Sequence, residues 1–248
     1  MPIIKHLSII DTPIYLVGNL LGNYEQFKEN LVKLDIVNAC IIFLGDLSFN
    51  NSENFYNHLE NIDKELSSRN IDAYIVRGNR DNPFLWKNKT FWSKFFRLRP
   101  IDSTTKLDFN GNIGIVIEGA TTIDRNSLIN GVDYWLDYDK PIYPPDFIDY
   151  GENRKKVDFV IGHGGPVLSD FFKDKDDKEK YLKHGFFVEN LAEEQKIYRQ
   201  ILQRYRPKRW YCGHYNIDLH TKFVWDNWSD DGVIDLRVIN KQKIERIA

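Results

Sequence analysis

The sequence predicts an α/β protein in which parallel strands alternate with helices. In the first third of the chain, three apolar runs are separated by two segments whose apolar residues recur every three or four positions. The apolar runs, which we interpret as buried strands, are Pro13–Val17, Ala39–Leu44 and Asp72–Arg77. This strand–helix–strand–helix–strand order implies parallel strands joined by crossover helices.

Two amphipathic helices are predicted between these strands. Their apolar faces are formed by Tyr24, Phe27, Leu31 and Leu34 in the first and by Phe55, Leu59, Ile62 and Leu66 in the second. Ser52 is the predicted N-cap of the second helix, because its hydroxyl can accept a backbone N–H of the first turn.

The second half of the chain predicts further strands and one long helix. Asn110 and Gly111 separate two strand-like runs, which is typical of a β-hairpin. The other predicted elements are strands at Val157–Ile161, Arg209–Cys212, His220–Trp225 and Val233–Ile239 and a helix at Val188–Tyr205. No internal repeat or low-complexity linker interrupts the 248 residues, so we expect a single domain over residues 1–248.

The composition is that of an ordinary globular protein. With 34 basic and 36 acidic residues the net charge is −2, which argues against a strongly basic nucleic-acid coat. No run of about 18 apolar residues predicts a membrane span, and the first residues contain no long apolar stretch typical of a secretory signal. Two scattered cysteines, Cys40 and Cys212, do not make a disulfide framework. We therefore expect a cytoplasmic protein without a membrane partner.

Five strand-like runs each end in a glycine followed by a polar residue. The pairs are Gly18-Asn19, Gly45-Asp46, Gly78-Asn79, Gly162-His163 and Gly213-His214. Ligands of open α/β sheets bind at the carboxyl ends of the strands, so these polar side chains are expected to converge. A mixed set of oxygen and imidazole donors suits a divalent transition metal.

These blocks resemble the calcineurin-like metallophosphoesterase family, and most closely its small bacterial and phage members related to the serine/threonine phosphoprotein phosphatases. The family blocks GDxHG, GDxxD, GNHD or GNHE, GH and GHxH correspond to Gly18–Gly22, Gly45–Phe49, Gly78–Asp81, Gly162–Pro166 and Gly213–Asn216. Residues 119–125 and 131–135 resemble a further signature of the same branch. The resemblance extends from about residue 13 to about residue 225 and implies a four-layer αββα sandwich with mixed sheets and a metal site at the strand ends.

The resemblance implies one complete metal site beside a lost one. Asp46, Asn79, His163 and His214 match the ligands of the family's second metal, so one divalent ion (Mn²⁺, Fe²⁺ or Zn²⁺) is expected there. The positions of the first metal's own ligands carry Asn19, Leu21 and Asn216 instead. Leucine cannot ligate, and an amide oxygen carries no charge to offset a dication. His220 or Asp218 could rebuild this first site, although a surface role is the alternative for both.

The resemblance also assigns catalytic positions to Asp46, Arg80 and Asp81. Arg80 replaces the family's general-acid histidine, and a guanidinium does not titrate near neutral pH, so it cannot donate the proton. Arg80 could still bind a phosphate with two hydrogen bonds. The phosphate-binding arginine of the GDxxDR block is replaced by Phe49 and Asn50, and Asp81 is expected to pair with Arg80.

Two functions from different classes follow from this resemblance. The first is a divergent phosphoesterase with weakened, metal-dependent hydrolysis of a phosphorylated small molecule, a nucleotide or a phosphoprotein. The second is a catalytically inactive pseudophosphatase that acts as a binding or regulatory module, in which case a protein partner is expected. Loss of one metal removes half of the clamp that stabilises an in-line displacement, so both hypotheses predict impaired catalysis.

Two further segments allow either a functional or a structural interpretation. Phe84–Arg99 interleaves aromatic and basic residues, which could stack on single-stranded nucleic acid or pack beneath a loop with the basic groups in water. The overall charge disfavours the nucleic-acid hypothesis. The charged run Lys173–Lys180 is either a solvated loop or a lid over the site.

Overall fold

The computed structural model describes residues 5–47, 53–122, 128–142, 157–166, 188–215, 218–224, 233–239 and 243–247. In this part of the chain, twelve strands form two mixed sheets accompanied by five α-helices. The strands are β1 (Lys5–Ile9), β2 (Ile14–Val17), β3 (Cys40–Phe43), β4 (Asp72–Val76), β5 (Leu98–Ile101), β6 (Thr105–Phe109), β7 (Asn112–Ile117), β8 (Phe159–Gly162), β9 (Arg209–Cys212), β10 (Leu219–Val224), β11 (Val233–Val238) and β12 (Ile244–Arg246). The helices are α1 (Tyr24–Lys33), α2 (Glu53–Ser68), α3 (Pro83–Trp86), α4 (Lys89–Trp92) and α5 (Val188–Tyr205).

The five-stranded sheet has the order β12-β2-β3-β4-β5. Its strands β2 to β5 are parallel, and β12 closes one edge in the antiparallel direction. Helix α1 connects β2 to β3, and α2 connects β3 to β4. The parallel arrangement predicted from the first third of the sequence is confirmed.

The seven-stranded sheet has the order β1-β6-β7-β8-β9-β11-β10. Strands β7, β8 and β9 run parallel through its middle. The predicted hairpin joins β6 to β7, where Phe109 pairs with Asn112 across a two-residue turn. Asn110 and Gly111 both adopt positive φ angles, 51° and 81°, as the tight hairpin turn requires.

Three apolar clusters fill the spaces between these elements. Side chains of both sheets, such as Leu16, Ile42 and Ile161, share the central cluster. A second cluster packs α1 and α2 against the five-stranded sheet. A third packs Tyr198 and Leu202 of α5 against the seven-stranded sheet. The sheets therefore carry a helix-covered face and a face buried in the shared core, which explains why their central strands are apolar on both sides.

The structure differs from the sequence prediction mainly at element ends and edges. Helix α1 ends at Lys33, and Leu34 is its C-cap with a 51% exposed side chain, while Ile36 is buried instead. Strands β1, β5 and β12 were not expected, because each is short or lies at a sheet edge with weak alternation. The predicted N-cap Ser52 lies outside the described residues.

None of the described helices combines the length and the apolar character that crossing a membrane would require.

Candidate metal centre

Four polar residues meet where strands of both sheets end. Asp46 follows β3 and Asn79 follows β4, both in the five-stranded sheet. His163 follows β8 and His214 follows β9, both in the seven-stranded sheet. All four side chains are buried, and His163 is fully so. The two sheets thus bring together the four residues that the resemblance assigns to one metal.

The backbone at these strand ends is tightly constrained. Asp46 and His214 adopt φ angles of 51° and 63°, in the left-handed region that non-glycine residues rarely occupy. Gly45, with φ of 94°, passes so close to His163 that a Cβ there would lie 2.6 Å from the ring nitrogen Nδ1. Backbone strain of this kind persists only where the surrounding structure fixes it, and it is common at functional sites.

The potential ligand atoms are grouped around Nε2 of His163. This nitrogen lies 2.7 Å from Oδ1 of Asn79, 3.2 Å from Nδ1 of His214 and 3.3 Å from Oδ1 of Asp46. Ligands bound at about 2.1 Å around a tetrahedral ion lie roughly 3.4 Å apart. Among the described His, Cys, Asp and Glu residues, one group has ligand atoms placed so that they could share an ion. It consists of Asp46, His163 and His214, whose candidate ligand atoms all lie within 4.8 Å of one another.

The protonation pattern of this group favours a cation. Nδ1 of His163 lies 2.6 Å from the carbonyl oxygen of Leu44, which can only accept, so that nitrogen carries the proton. In the neutral imidazole, Nε2 is then a lone pair facing the Asp46 carboxylate and the Asn79 amide oxygen. Acceptors that converge without a donor between them repel one another unless a proton or a metal ion neutralises them. The group of Asp46, His163 and His214 could therefore bind one metal ion, and the Asn79 oxygen is close enough to His163 to join them.

A chain of hydrogen bonds fixes the orientation of Asn79. Its Nδ2 donates to Oγ1 of Thr122 at 2.7 Å, which turns Oδ1 toward His163. The Thr122 hydroxyl in turn donates to the buried Asp139 carboxylate at 2.5 Å, and the Thr122 backbone N–H binds the same oxygen at 2.7 Å. Such outer partners orient metal ligands. Sequence reasoning gave no role to Thr122 or Asp139, although Thr122 lies in the mid-chain stretch that resembles a family signature.

Burial and neighbouring charges shift the pKa values of the three titratable side chains of this group in different directions. Burial opposes ionisation of Asp46, but the two histidines hold its pKa down to about 2. Burial, reinforced by His163, lowers the pKa of His214 to about 3, so this ring is neutral at physiological pH. For His163, burial favours the neutral ring but the Asp46 charge outweighs it and raises the pKa. Of the two rings, His163 therefore stays protonated to the higher pH.

Asp81 supports the site through the backbone. Its Oδ2 accepts the N–H groups of Asp46 and Gly78 at 3.0 and 2.7 Å, and its Oδ1 accepts that of Leu47 at 2.9 Å. Burial and the neighbouring Asp46 carboxylate raise the pKa of Asp81, although the amide donors favour its ionised form. The sequence suggested Arg80 as its partner, whereas the hydrogen bonds that the structure shows for this carboxylate go to backbone amides. Asp81 ties the end of β3 to the end of β4.

Arg80 lies beside the group. Its backbone N–H donates to Oδ1 of Asp46 at 3.1 Å. Its half-buried guanidinium is close enough to add to the lowering of the pKa of His214 after burial and His163. A permanent positive charge at this position would attract an anion.

At the positions where the family binds its first metal, Asn19 and Leu21 make hydrogen bonds with backbone groups instead. Asn19 is buried, and its Oδ1 accepts the backbone N–H of His214 at 3.1 Å. Leu21 is half-buried, and its backbone N–H binds the Asp46 carbonyl at 2.9 Å. Both residues thus hold the strand ends in place. Asn216 lies outside the described residues.

The two candidate replacements for this first site lie elsewhere. Nε2 of His220 is 2.7 Å from the Asp235 carboxylate in a 55% exposed position. Asp218 binds Nζ of Lys243 through both oxygens, at 2.7 and 2.8 Å. Neither residue joins the group around His163 in the described structure.

The aromatic segment Phe84–Arg99 serves mainly the core. Trp86, Trp92 and Phe95 are buried in the cluster that packs on α1 and α2, so the interpretation as packing beneath a loop is the one that the structure favours for these three rings. Phe84 and Phe96 remain exposed. Phe49, Asn50 and the charged run Lys173–Lys180 lie outside the described residues.

Comparison with known proteins supports the fold. No protein-family model matches the chain, and no curated protein matches its sequence. Twenty solved chains match its structure. One of them, known from a crystal structure, matches with a TM-score of 0.50 and 12% sequence identity over 90% of this chain and 90% of that chain. At this identity the likeness concerns the fold alone. The chain is an α/β protein with two mixed sheets and a buried Asp/His/His group that could bind one metal ion.

Proposed function

We propose that this protein is a divergent calcineurin-like metallophosphoesterase that hydrolyses a phosphoester with one divalent metal and reduced activity. The observation that carries the proposal is the convergence of Asp46, Asn79 and His214 on Nε2 of His163. Mn²⁺, Fe²⁺ and Zn²⁺ all accept such a mixed oxygen and imidazole set. The substrate class is a phosphorylated small molecule, a nucleotide or a phosphoprotein.

The arrangement of apolar clusters supports the four-layer sandwich of that family. One cluster lies between the sheets, and each outer cluster lies between a sheet and its helices. Helices, sheet, sheet and helix in that order are what an αββα sandwich requires. The position of the site, at the carboxyl ends of strands from both sheets, is consistent with the same architecture.

In this proposal, separate residues bind the metal ion, bind the phosphate and orient the ligands. A divalent ion held by the four ligands would supply Lewis acidity toward a phosphoryl oxygen and activation of water. Arg80 would bind and orient the phosphate, since a planar guanidinium can donate two parallel hydrogen bonds to phosphate oxygens. Asn79 is kept in its orientation by Thr122, and Asp46 is positioned by the amide network of Asp81. No residue in this set replaces the general acid, so departure of the leaving group is unassisted.

Reduced activity follows from the first-metal positions. Asn19 uses its side-chain oxygen for the backbone of His214, and His220 and Asp218 are paired elsewhere. Each lost tenfold in rate corresponds to about 1.4 kcal/mol of transition-state stabilisation. Removal of a second ion and of a general acid costs several such factors. The hydrogen bond between Oδ1 of Asn19 and the backbone N–H of His214 equally favours the alternative hypothesis. In that hypothesis the protein is a pseudophosphatase that binds a phosphorylated ligand without turnover.

The test combines metal counting with turnover. Protein loaded with Mn²⁺ and desalted should retain about one ion per chain by elemental analysis, and His163→Ala should retain none. His220→Ala is the matched control, because it removes a histidine outside the group and should keep the ion. Aryl phosphates, phosphodiesters and nucleotides are then offered to the wild type and to Asp46→Asn.

The outcomes separate the two hypotheses. Slow Mn²⁺-dependent turnover that Asp46→Asn abolishes supports the phosphoesterase. One bound ion with no turnover of any of these substrates leaves the binding module. Two bound ions would show that the first site is rebuilt, and none in the wild type would contradict the metal centre itself.

A further inference from the structure

A small cavity is formed by residues close in the chain to Asp81 and Asp139, which support the candidate metal centre. It has a volume of about 250 Å³. Six of its lining residues are Phe84, Asn130, Trp135, Leu136, Asp137 and Tyr138. Sites that enclose a whole ligand usually measure about 300 to 1,000 Å³, so this cavity suits one ring system of a larger molecule.

Two aromatic rings form a corner in this cavity. The rings of Phe84 and Tyr138 have centroids 6.3 Å apart and are inclined at 74°. Nζ of Lys87 lies 4.7 Å from the centroid of Tyr138 and 3.3 Å from its hydroxyl oxygen, and the guanidinium of Arg77 lies 5.8 Å from the same centroid. Both cations lie within cation–π distance of the Tyr138 ring. A planar ring in the corner would stack on one aromatic face and meet the edge of the other, both favourable arrangements.

The apolar walls are open to water. The side chains of Phe84 and Leu136 are 67% and 55% exposed. Water contact with large apolar side chains is unfavourable, and a patch of them in a concavity is typical of a ligand site. A flat ring inserted here would cover both side chains.

Polar groups at the same cavity distinguish among ring types. Oδ1 of Asn130 accepts the backbone N–H of Leu136 at 3.1 Å, which leaves its amide hydrogens to donate. The carboxylate of Asp137 is exposed and can only accept. The cavity lining thus offers both a donor and an acceptor, the two kinds of group that the edge of a nucleobase carries.

The cavity and the metal centre are neighbours along two separate parts of the chain. Asp139, which follows Tyr138, binds Thr122, and Thr122 binds the metal-ligand candidate Asn79. On the other side, Phe84 comes three residues after Asp81, whose carboxylate accepts the Asp46 N–H. A nucleotide carries its base and its phosphate at opposite ends of one sugar, so a molecule of this class could reach both places.

We propose that the cavity between Phe84 and Tyr138 binds the base of a nucleotide whose phosphate lies at the metal centre. This rests on the proposed function for the position of the phosphate only. The base subsite depends on the aromatic corner, the Asn130 amide and the Asp137 carboxylate, none of which is a metal-ligand candidate. It can therefore be tested in protein from which metal has been removed.

The experiment is calorimetric titration of metal-free protein with adenosine, guanosine, cytidine and uridine, and with ribose 5-phosphate as the probe that lacks a base. At least one nucleoside should bind at millimolar concentration, and ribose 5-phosphate should not. Phe84→Ala should weaken nucleoside binding roughly tenfold, as expected when one stacking contact with a base is lost. Phe96→Ala is the matched control, because this ring is 68% exposed and lies by Arg97 rather than in the cavity.

Three results would overturn the base subsite: no binding of any nucleoside to the wild type, equal weakening by Phe84→Ala and Phe96→Ala, or binding of ribose 5-phosphate as tight as that of the nucleosides. Metal stoichiometry, measured on the same variants, separates this proposal from the previous one. Nucleoside binding without any metal binding would retain the base subsite and reject the phosphoesterase. One bound Mn²⁺ without nucleoside binding would do the reverse.

Discussion

Gly78 and Asp46 touch so closely that no side chain fits between them. A Cβ on Gly78 would lie 2.2 Å from Oδ1 of Asp46 and 2.3 Å from its backbone nitrogen. Real Cβ contacts are never this short, so any larger residue must displace the carboxylate. This close approach requires the glycine that follows β4, and it allows Asp46 and Asn79 to share one site.

Gly78→Ala should therefore abolish metal binding and lower the free energy of unfolding by about 1–3 kcal/mol, as overpacking does. Gly111→Ala is the matched control: Gly111 has a positive φ of 81°, but nothing lies within 4 Å of an added Cβ. That variant should lose about 1 kcal/mol through backbone strain and keep its metal. Urea denaturation and metal counting check both. Full metal retention in Gly78→Ala would contradict the placement of Asp46.

The sequence predicted that these four polar residues converge because each lies within three residues of a strand end, and the family resemblance then singled them out as metal-ligand candidates. Asp46, Asn79, His163 and His214 are placed by the ends of β3, β4, β8 and β9, and apolar runs that stop at a glycine mark those ends well. Thr122 and Asp139 could not be predicted in the same way. They lie in loops, where no hydrophobic period fixes the position of a side chain.

The role of Asn19 shows a second limit of sequence reasoning. Motif comparison shows that Asn19 stands where the family has a carboxylate. It does not show that Oδ1 of Asn19 accepts the backbone N–H of His214, because this hydrogen bond depends on how closely the two sheets approach. The exposure of Leu34 has a similar origin, because helical spacing continued one residue beyond the point where α1 ends. Local patterns thus located the site, and contacts between sheets determined its supporting residues.

Thr122→Val should weaken metal binding about 10- to 100-fold, which is the usual effect of removing an outer partner of a ligand. Valine has the shape of threonine but neither donates to Asp139 nor accepts from Asn79, so the Asn79 amide loses its fixed orientation. Thr105→Val, at a buried threonine of β6, is the control and should leave the affinity for Mn²⁺ unchanged. Equal affinity of the two variants for Mn²⁺ by calorimetry would show that Thr122 does not position Asn79.

Asp81→Ala should lower the free energy of unfolding by about 3 kcal/mol or more, because three buried amides lose their acceptor. Asp63 offers a matched comparison: its carboxylate likewise accepts three backbone N–H groups, those of Phe96, Arg97 and Leu98 at 3.0, 2.7 and 3.1 Å. Asp63→Ala should destabilise the protein less, since that carboxylate is only half-buried, and should not affect metal binding. If both variants bind metal like the wild type, Asp81 has a purely structural role.

Metal binding should release about one proton and strengthen with rising pH. Although burial opposes it, the Asp46 charge raises the pKa of His163, so below that pKa the metal-free site holds a proton on this ring that the ion must displace. The pKa of His214 is lowered to about 3 and that of Asp46 to about 2, so neither is protonated near neutral pH. Affinity for Mn²⁺ should then fall about tenfold for each pH unit below the raised pKa of His163.

Calorimetry in buffers of different ionisation enthalpy counts the protons that metal binding releases. Release of two protons would mean that Asp81, whose pKa burial and the Asp46 carboxylate raise to about 7, also loses a proton when the ion binds. Release of none would mean that Nε2 of His163 is already a free lone pair, with the proton on Nδ1 bound to the Leu44 carbonyl.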